Sequence, residues 1–161
     1  MTTASGTLYL VIRLGTDRYA IDADCVVEVL PLVRLKSIPA APNGVVGMMS
    51  FRGSAIPVMD LNVIAFGAPT PVRLMSRIVI VRYREHDIGG DSALFGLLIP
   101  EVLQTAHFDA SAFERVGLAN ARAPYLGPVL TTPDGMLQQL LIAPLLSEEL
   151  RVAVTSRGVA A

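Results

Sequence analysis

The 161-residue sequence predicts a mainly β protein: two intertwined, five-stranded barrels of SH3-like size, with a short connecting helix and a C-terminal helix. Three observations support this fold class. Short runs of residues alternate between apolar and polar, tight-turn signals separate these runs, and the same order of segments occurs twice along the chain. Few stretches show the 3.6-residue period of a helix.

The first strands follow directly from this alternation. The runs "TLYLVIRL" (7–14) and "RYAI" (18–21) flank the turn "GTD", which predicts a β-hairpin. The next segment, "DADC", predicts a single helical turn, after which a strand begins at Val26 and alternates until Ser37. A helical period over 23–30 also fits this segment, so the strand is the preferred of two interpretations.

A second hairpin is predicted after a proline-rich loop. The loop is "SIPAAPNG" (37–44), whose two prolines cannot donate to a strand ladder. The runs "VVGMMSF" and "SAIPVMDL" then predict two strands joined at Arg52 and Gly53. Pro57 predicts that the second of these strands lies at a sheet edge.

The second half of the chain repeats this order. From Arg77, "RIVIVRY" and "ALFGLLI" follow the pattern of the first hairpin, and "YLGPVLTTPDGMLQQLL" is similar to "VVGMMSFRGSAIPVMDL", with Gly127 in the place of Gly47. The repetition predicts that one lobe occurs twice. The predicted bounds are a single domain over 7–150, a first lobe over about 15–76, a second lobe over about 7–14 plus 77–150, and flexible tails at 1–6 and 155–161.

Two helices complete the predicted fold. In "DASAFERVG", Ser111 and Glu114 have the spacing of a capping box, which predicts the connecting helix. In "APLLSEELRVAV", Pro144 suits the first position of the C-terminal helix. One side of that helix carries Leu145, Leu146 and Leu150, so we expect it to pack back onto the barrels.

The composition argues against several classes of function. No apolar run approaches the roughly 20 residues of a membrane span, so no membrane insertion is expected. Thirteen Lys and Arg against 14 Asp and Glu leave no basic field for nucleic acid. One Cys and two His offer no metal-binding spacing. The N-terminus lacks a secretory signal, and the cytoplasm is the expected location.

Signatures of catalysis are also absent from the sequence. Cys25 lies in an apolar segment without a nearby base, there is no G-x-S-x-G motif, and "GGDSALFG" is not a phosphate-binding loop. We therefore expect no catalytic residue and no cofactor. The hydrophobic fraction of 52% is high for a free monomer, which indicates either partner-facing apolar surface or a core rich in Val and Leu.

The order of five segments resembles the CheW-like family, the coupling proteins of bacterial chemosensory arrays. The segments are "YAID", "VVEVL", "IPAAPNGVVGMMSFRGSAIPVMDL", "FGLLIPEVL" and "YLGPVL", and the resemblance covers roughly 7–150. It implies two SH3-like lobes with a groove between them. It also implies an adaptor rather than an enzyme, joining chemoreceptor cytoplasmic tips to the regulatory domain of a CheA-type histidine kinase at the membrane-associated receptor array.

The resemblance also assigns roles to individual residues. The implied receptor-binding groove contains Glu28, Arg52, Val102 and Thr105. The implied kinase-binding residues are Val26, Val46 and Gly47. Core packing is the alternative for the three valines, and a backbone requirement is the alternative for Gly47. From the residues themselves, we expect an ion pair between Glu28 and Arg52, because a guanidinium between two apolar runs requires an acceptor.

Some features differ from the family pattern and leave alternatives open. Pro100 in "LIPEVL" stands where the family often has an aspartate. Such divergence suits a paralogue from a non-flagellar chemosensory array. The alternative functions are a small-molecule-binding β domain that uses the groove between the lobes, and an esterase or thiol enzyme based on Cys25.

Overall fold

The computed structural model describes residues 5–84, 93–117 and 121–155, and these residues form ten strands and two α-helices. The strands are β1 (Thr7–Leu14), β2 (Asp17–Asp22), β3 (Val26–Pro31), β4 (Val45–Phe51), β5 (Ser54–Asp60), β6 (Arg77–Tyr83), β7 (Ala93–Ile99), β8 (Glu101–Phe108), β9 (Leu126–Thr132) and β10 (Gly135–Leu140). The helices are α1 (Leu61–Phe66) and α2 (Glu148–Thr155). Single 3₁₀ turns occur at Ala23–Cys25, Ala110–Ala112 and Ala143–Leu145.

The strands form two sheets of identical design. Sheet A has the order β8-β1-β2-β10-β9, and sheet B has the order β3-β6-β7-β5-β4. Each sheet contains two antiparallel hairpins, β1–β2 and β9–β10 in sheet A and β6–β7 and β4–β5 in sheet B. The second strands of the two hairpins pair in parallel, β2 with β10 and β5 with β7. The predicted fold class and the predicted repeat are therefore confirmed.

The predicted division of the strands between the lobes is wrong. The predicted first lobe includes β2, which instead pairs with β1 and β10 in sheet A. The predicted second lobe includes β6 and β7, which instead join sheet B. The reason is an exchange of strands. Strand β3 follows the hairpin of sheet A but pairs in sheet B, and β8 follows the hairpin of sheet B but pairs in sheet A.

This exchange explains why β1 and β6 are apolar on both faces. On β1, Tyr9 and Val11 pack in the core of sheet A, while Leu10 and Ile12 pack in the largest cluster of buried residues. That cluster combines side chains of both sheets, for example Leu10 with Val79. Because successive side chains on a strand point to opposite faces, a strand between two cores has no polar face.

Each sheet closes into a barrel through one backbone bridge. In sheet B, Lys36 exchanges two hydrogen bonds of 2.8 Å with Met48 of β4. In sheet A, Glu114 does the same with Val129 of β9. The connecting helix predicted around Ser111 is therefore only one 3₁₀ turn, because the chain is extended again at Glu114. Its cap is Asp109, whose carboxylate accepts from the backbone N–H of Ser111.

The prediction that β5 is an edge strand is also wrong. Strand β5 lies between β7 and β4, and β4 is the edge. Pro57 is tolerated because the parallel ladder with β7 begins one residue later, at Val58. At the proline itself, β5 is paired with β4 and not with β7.

The helices differ from the prediction in number and in length. The sequence did not predict α1, which is capped by the Asp60 carboxylate and ended by Gly67 at φ 72°. The C-terminal helix begins at Glu148 rather than near Pro144, which lies in a 3₁₀ turn. Its predicted leucines are buried in the shared core: Leu145, Leu146 and Leu150.

Two further points concern the chain ends and the membrane. The predicted flexible tails, 1–6 and 155–161, lie mostly outside the described residues. Neither helix of the described part of the chain has the length and hydropathy needed to cross a membrane.

Candidate functional site

The turn between β4 and β5 has an unusual backbone. It contains two residues, Arg52 and Gly53, with φ angles of 49° and 81°. Two-residue hairpin turns with positive φ at both positions match the twist of the flanking strands, and they favour Asn or Gly. An arginine in the left-handed region costs about 1–2 kcal/mol relative to the right-handed one. The sequence therefore places a costly residue at this turn.

The Arg52 guanidinium is held from two sides. Its Nη2 atom lies 3.4 Å from Oε2 of Glu28, so the predicted ion pair is confirmed. Its central carbon lies 4.9 Å from the centre of the Phe51 ring, a cation–π contact that the sequence did not predict. The Arg52 side chain nevertheless stays 68% exposed and that of Glu28 42% exposed. Part of the guanidinium fork therefore remains free for a partner.

These contacts do not make Arg52 a strong stabiliser of the fold. An exposed ion pair contributes about 0–1 kcal/mol, and an exposed cation–π contact contributes about 0.5–1 kcal/mol. Together they roughly offset the cost of the left-handed backbone. Stability alone therefore does not account for an arginine at this position, and strained residues of this kind cluster at binding sites.

Strand β3 presents Glu28 through an irregular register. Its ladder with β6 shifts between Val26 and Glu28, which leaves Val27 as the extra residue of a bulge. Val27 packs against the core of sheet B, whereas Val29 is partly exposed. The alternation predicted from Val26 onward is therefore interrupted, and Val27 and Val29 do not share a face opposite Glu28.

The other two residues of the predicted receptor groove lie in the other sheet. Val102 and Thr105 belong to β8, an edge strand of sheet A that occupies the position of β3 in sheet B. Val102 is half-buried against the core shared by the two sheets, and Thr105 is exposed. The structure thus brings Glu28 and Arg52 into contact and places Val102 and Thr105 on the equivalent edge of the second barrel.

The three predicted kinase-binding residues have different surroundings. Val26 is half-buried against the shared core. Val46 is the extra residue of a bulge in β4 and is partly exposed. Gly47 is buried, and a Cβ atom there would lie only 2.7 Å from the carbonyl oxygen of Lys36. Gly47 is therefore required for barrel closure, while Val46 is the most accessible of the three.

An open cleft lies where the two barrels meet. Its volume is about 630 Å³, and its lining includes Asp22, Asp24, Cys25 and Arg84. Burial raises the pKa of the Cys25 thiol, the carboxylates of Asp22 and Asp24 add to this effect, and Arg84 opposes it. The thiol is therefore protonated at neutral pH and is a weak nucleophile.

The lining offers little for catalysis or for a metal. None of the described residues that line the cleft is a histidine. Across residues 5–84, 93–117 and 121–155, no three His, Cys, Asp or Glu side chains are grouped as a metal site would require. We therefore derive no reaction from this cleft.

Comparison with known proteins places this fold in a family. The CheW-like domain model matches residues 8–150. No curated protein matches the chain. Among solved structures, the scaffolding protein TtCheW from Thermoanaerobacter tengcongensis is similar, with a TM-score of 0.74 and 25% sequence identity over 92% of this chain and 93% of that one.

The family model spans both barrels, including the Arg52 turn and the edge strands β3 and β8. The similar structure covers 92% of this chain, so the structural similarity and the family match extend over nearly the same residues. The chain belongs to the CheW-like domain family.

Proposed function

We propose that this protein is a non-enzymatic adaptor that couples chemoreceptor cytoplasmic tips to a CheA-type histidine kinase in a cytoplasmic chemosensory array. The observation that carries the proposal is the family match over residues 8–150, which includes every strand that forms the two barrels except the first residue of β1. The similar structure, a scaffolding protein, supports the same class of function.

Within this function, the Arg52 turn is the proposed receptor contact. Receptor tips are helical hairpins, and a helix can be recognised by a few polar groups that fix its register beside apolar anchors. Arg52 supplies the polar group, since one edge of its fork meets Glu28 and the other edge faces solvent. Val102 and Thr105 on the equivalent edge strand supply contacts on the second barrel.

The kinase contact is proposed on a different part of sheet B. Val46 is exposed on the β4 bulge, close to the point where the barrel closes at Lys36 and Met48. Gly47 permits that closure, and Val26 packs against the shared core. On this account Val46 makes direct contact, and the other two residues shape the surface.

Two binding titrations test the proposal. The purified protein is titrated with the regulatory domain of a cognate CheA-type kinase and, separately, with soluble receptor-tip bundles, without added small molecules. We expect binding to each and a larger complex when all three are sedimented together. Unchanged sedimentation at micromolar concentrations of protein and kinase would overturn the adaptor function.

One variant addresses the receptor contact more directly. Arg52→Lys keeps the positive charge but lacks the planar fork that serves two acceptors at once. We expect this variant to bind the kinase normally and the receptor tip poorly. Full receptor binding by Arg52→Lys would show that charge alone is recognised.

A small-molecule-binding function is the second candidate, and the open cleft between the barrels favours it. It differs from the adaptor function in one measurable respect. An adaptor binds the kinase domain without any added ligand, whereas a ligand-controlled domain requires one. Kinase binding that appears only after addition of a cell extract depleted of macromolecules would support the second candidate.

A further inference from the structure

The cleft between the barrels is lined by charges of both signs. Asp22 and Asp24 lie at the end of β2 and on the 3₁₀ turn that follows it, and Arg82 and Arg84 lie at and just after the end of β6. Among the described residues that line the cleft, these four carry the charges, so the lining has no net charge. Such a lining does not attract a phosphate or another ligand with charge of one sign only.

The two kinds of charge lie near one point of the cleft, the thiol of Cys25. Burial raises the pKa of this thiol most, Asp22 and Asp24 raise it further, and Arg84 lowers it. Electrostatic effects of this kind weaken with distance, so the carboxylates and the guanidinium are all close to the thiol. Cys25 itself belongs to the lining. Opposite charges therefore face the same open space.

These charges keep free hydrogen-bonding groups. Within the described part of the chain, the guanidinium groups of Arg82 and Arg84 form no ion pair and donate no hydrogen bond, and the Asp24 carboxylate accepts none. One oxygen of Asp22 accepts from the backbone N–H of Asp24 at 2.9 Å, which leaves its second oxygen open. Carboxylates and guanidinium groups that share a cleft without pairing are available to a ligand that carries both complementary charges.

The remaining lining suits the apolar part of a small ligand. Tyr83, Leu140 and Ile142 belong to the core shared by the two sheets and are each at most 6% exposed, so this part of the cleft is rigid. Gln139 adds a half-buried side-chain amide. Ligand pockets typically combine apolar surface with a few polar groups, and the cleft volume of about 630 Å³ lies within their usual range of about 300–1000 Å³.

We propose that this cleft binds a short zwitterion, either an amino acid or a short peptide with both termini free, whose ammonium group meets Asp22 and Asp24 and whose carboxylate meets Arg84. An apolar side chain of the ligand packs against Tyr83 and Leu140. The planar guanidinium fork is well suited to a carboxylate. This inference names a ligand class for the second candidate function, and it does not require the adaptor function to be wrong.

The bound ligand would join the two barrels. Asp22 belongs to β2 of sheet A, whereas Arg84 follows β6 of sheet B. A ligand that contacts both residues binds the folded chain and not the unfolded one, so it should raise the melting temperature of the protein.

The test uses ligands that differ by one charge. The full-length protein is titrated calorimetrically at about pH 6.5, where an α-amino group is protonated, with L-leucine, with leucinamide, which lacks the carboxylate, and with N-acetylleucine, which lacks the ammonium group. The dipeptide and tripeptide of leucine, each with the same two analogues, distinguish an amino acid from a longer peptide. We expect at least one zwitterion to bind with a Kd below about 1 mM, and each of its analogues to bind at least about tenfold more weakly.

Variants connect each charge of the ligand to a side chain. In Arg84→Gln, the zwitterion and its amide analogue should bind within about twofold of each other, because the partner of the carboxylate is gone. In a double variant, Asp22→Asn with Asp24→Asn, the zwitterion and its N-acetyl analogue should become equally weak. Asp134→Asn and Arg34→Gln change exposed residues outside the lining and should leave all affinities unchanged. Equal weakening of every ligand by the cleft variants would contradict the proposed pairing.

The single cysteine of the chain locates the bound ligand. Because Cys25 lines the cleft, a saturating zwitterion should slow its alkylation by iodoacetamide and raise the melting temperature. Binding without protection of Cys25 would place the ligand elsewhere, and equal binding of zwitterions and analogues would indicate an apolar site only. Either result, or no binding of any zwitterion below about 1 mM, would overturn the inference. The adaptor function would still stand, because its titrations contain no small molecule.

Discussion

The two barrels contain equivalent hairpins whose turns are built differently. In sheet A, β9 and β10 are joined by Pro133 and Asp134, and positive φ is confined to Gly135. In sheet B, β4 and β5 are joined by Arg52 and Gly53, and both residues have positive φ. The first turn uses residues suited to their backbone, while the second places a side chain where its backbone is strained.

The arginines at the two turns also differ in what they contact. Near the β9–β10 turn, Arg18 donates to the hydroxyl of Thr132 at 2.7 Å and to the carbonyl of Gly135 at 3.3 Å, so it holds the turn together. Arg52 is part of its turn and extends away from it to Glu28. The contacts of Arg18 are those of a structural residue, whereas Arg52 keeps most of its side chain exposed, as the proposed receptor contact requires.

The largest expected effect concerns the glycines at which the two hairpins approach neighbouring backbone. A Cβ atom on Gly47 would lie 2.7 Å from the carbonyl oxygen of Lys36, whereas one on Gly127 would lie 3.1 Å from that of Gln139. We expect Gly47→Ala to lower the free energy of unfolding by about 2–3 kcal/mol and Gly127→Ala by about 1 kcal/mol. Urea denaturation of both variants measures the difference. Equal losses would show that the two positions tolerate a methyl group equally.

Arg18→Ala is expected to have a smaller effect, on stability alone. It removes a hydrogen bond to the partly buried hydroxyl of Thr132 and should lower the free energy of unfolding by about 1 kcal/mol. Receptor and kinase affinities should not change, because Arg18 on β2 uses its guanidinium to hold the β9–β10 turn. A selective loss of affinity for either partner would remove the distinction between the two arginines.

Glu28→Gln sharpens the comparison from the other side of the ion pair. The amide can still accept a hydrogen bond from Arg52 but lacks the charge that orients the guanidinium. We expect the free energy of unfolding to change by less than about 1 kcal/mol, since the pair is exposed. Affinity for receptor tips should fall several-fold, and affinity for the kinase should not. Titration of both partners tests this, with Glu101→Gln as the control, because Glu101 pairs with Arg13 on sheet A.

The smallest effect is expected at Cys25. Because burial and the two nearby aspartates raise the pKa of its thiol, the reactive thiolate is scarce below that pKa and increases only as pH rises through it. Alkylation by iodoacetamide should therefore be slower at pH 7.5 than for a free cysteine. Cys25→Ala should lower stability by about 0.5–1 kcal/mol and leave binding to both partners intact. Rapid alkylation, or loss of binding by a folded variant, would indicate a functional thiol.

Much of the architecture could be predicted from alternation and from repetition. The strand that follows the first hairpin, β3, was predicted by its pattern, but the pattern does not say which sheet the strand joins. Only the pairing of β3 with β6, and of β8 with β1, decides that the barrels exchange these strands. The edge position predicted from Pro57 was wrong for a similar reason. A proline shows that one side of the strand is unpaired at that residue, but it does not show that the whole strand lies at an edge.

The candidate site was predictable where a charge requires a partner. A cation between apolar runs needs an acceptor, and Glu28 was the acceptor that the strand pattern offered. The strained backbone at Arg52 and the Phe51 contact depend on the turn type, which the "FRGS" segment alone does not fix. Helix α1 was not predicted because its six residues are too few to show a helical period.

The displayed role of Arg52 is tested most directly by Arg52→Asn. Asparagine suits the left-handed backbone, so relief of strain should offset the lost ion pair. The melting temperature of the variant should therefore stay within about 4 °C of that of the wild-type protein. The measurement is the affinity of this variant for receptor-tip bundles, with kinase affinity as the control. We expect receptor affinity to fall at least about tenfold while kinase affinity stays within twofold. Unchanged receptor affinity, or equal weakening of both affinities, would contradict the role of Arg52 as the receptor contact.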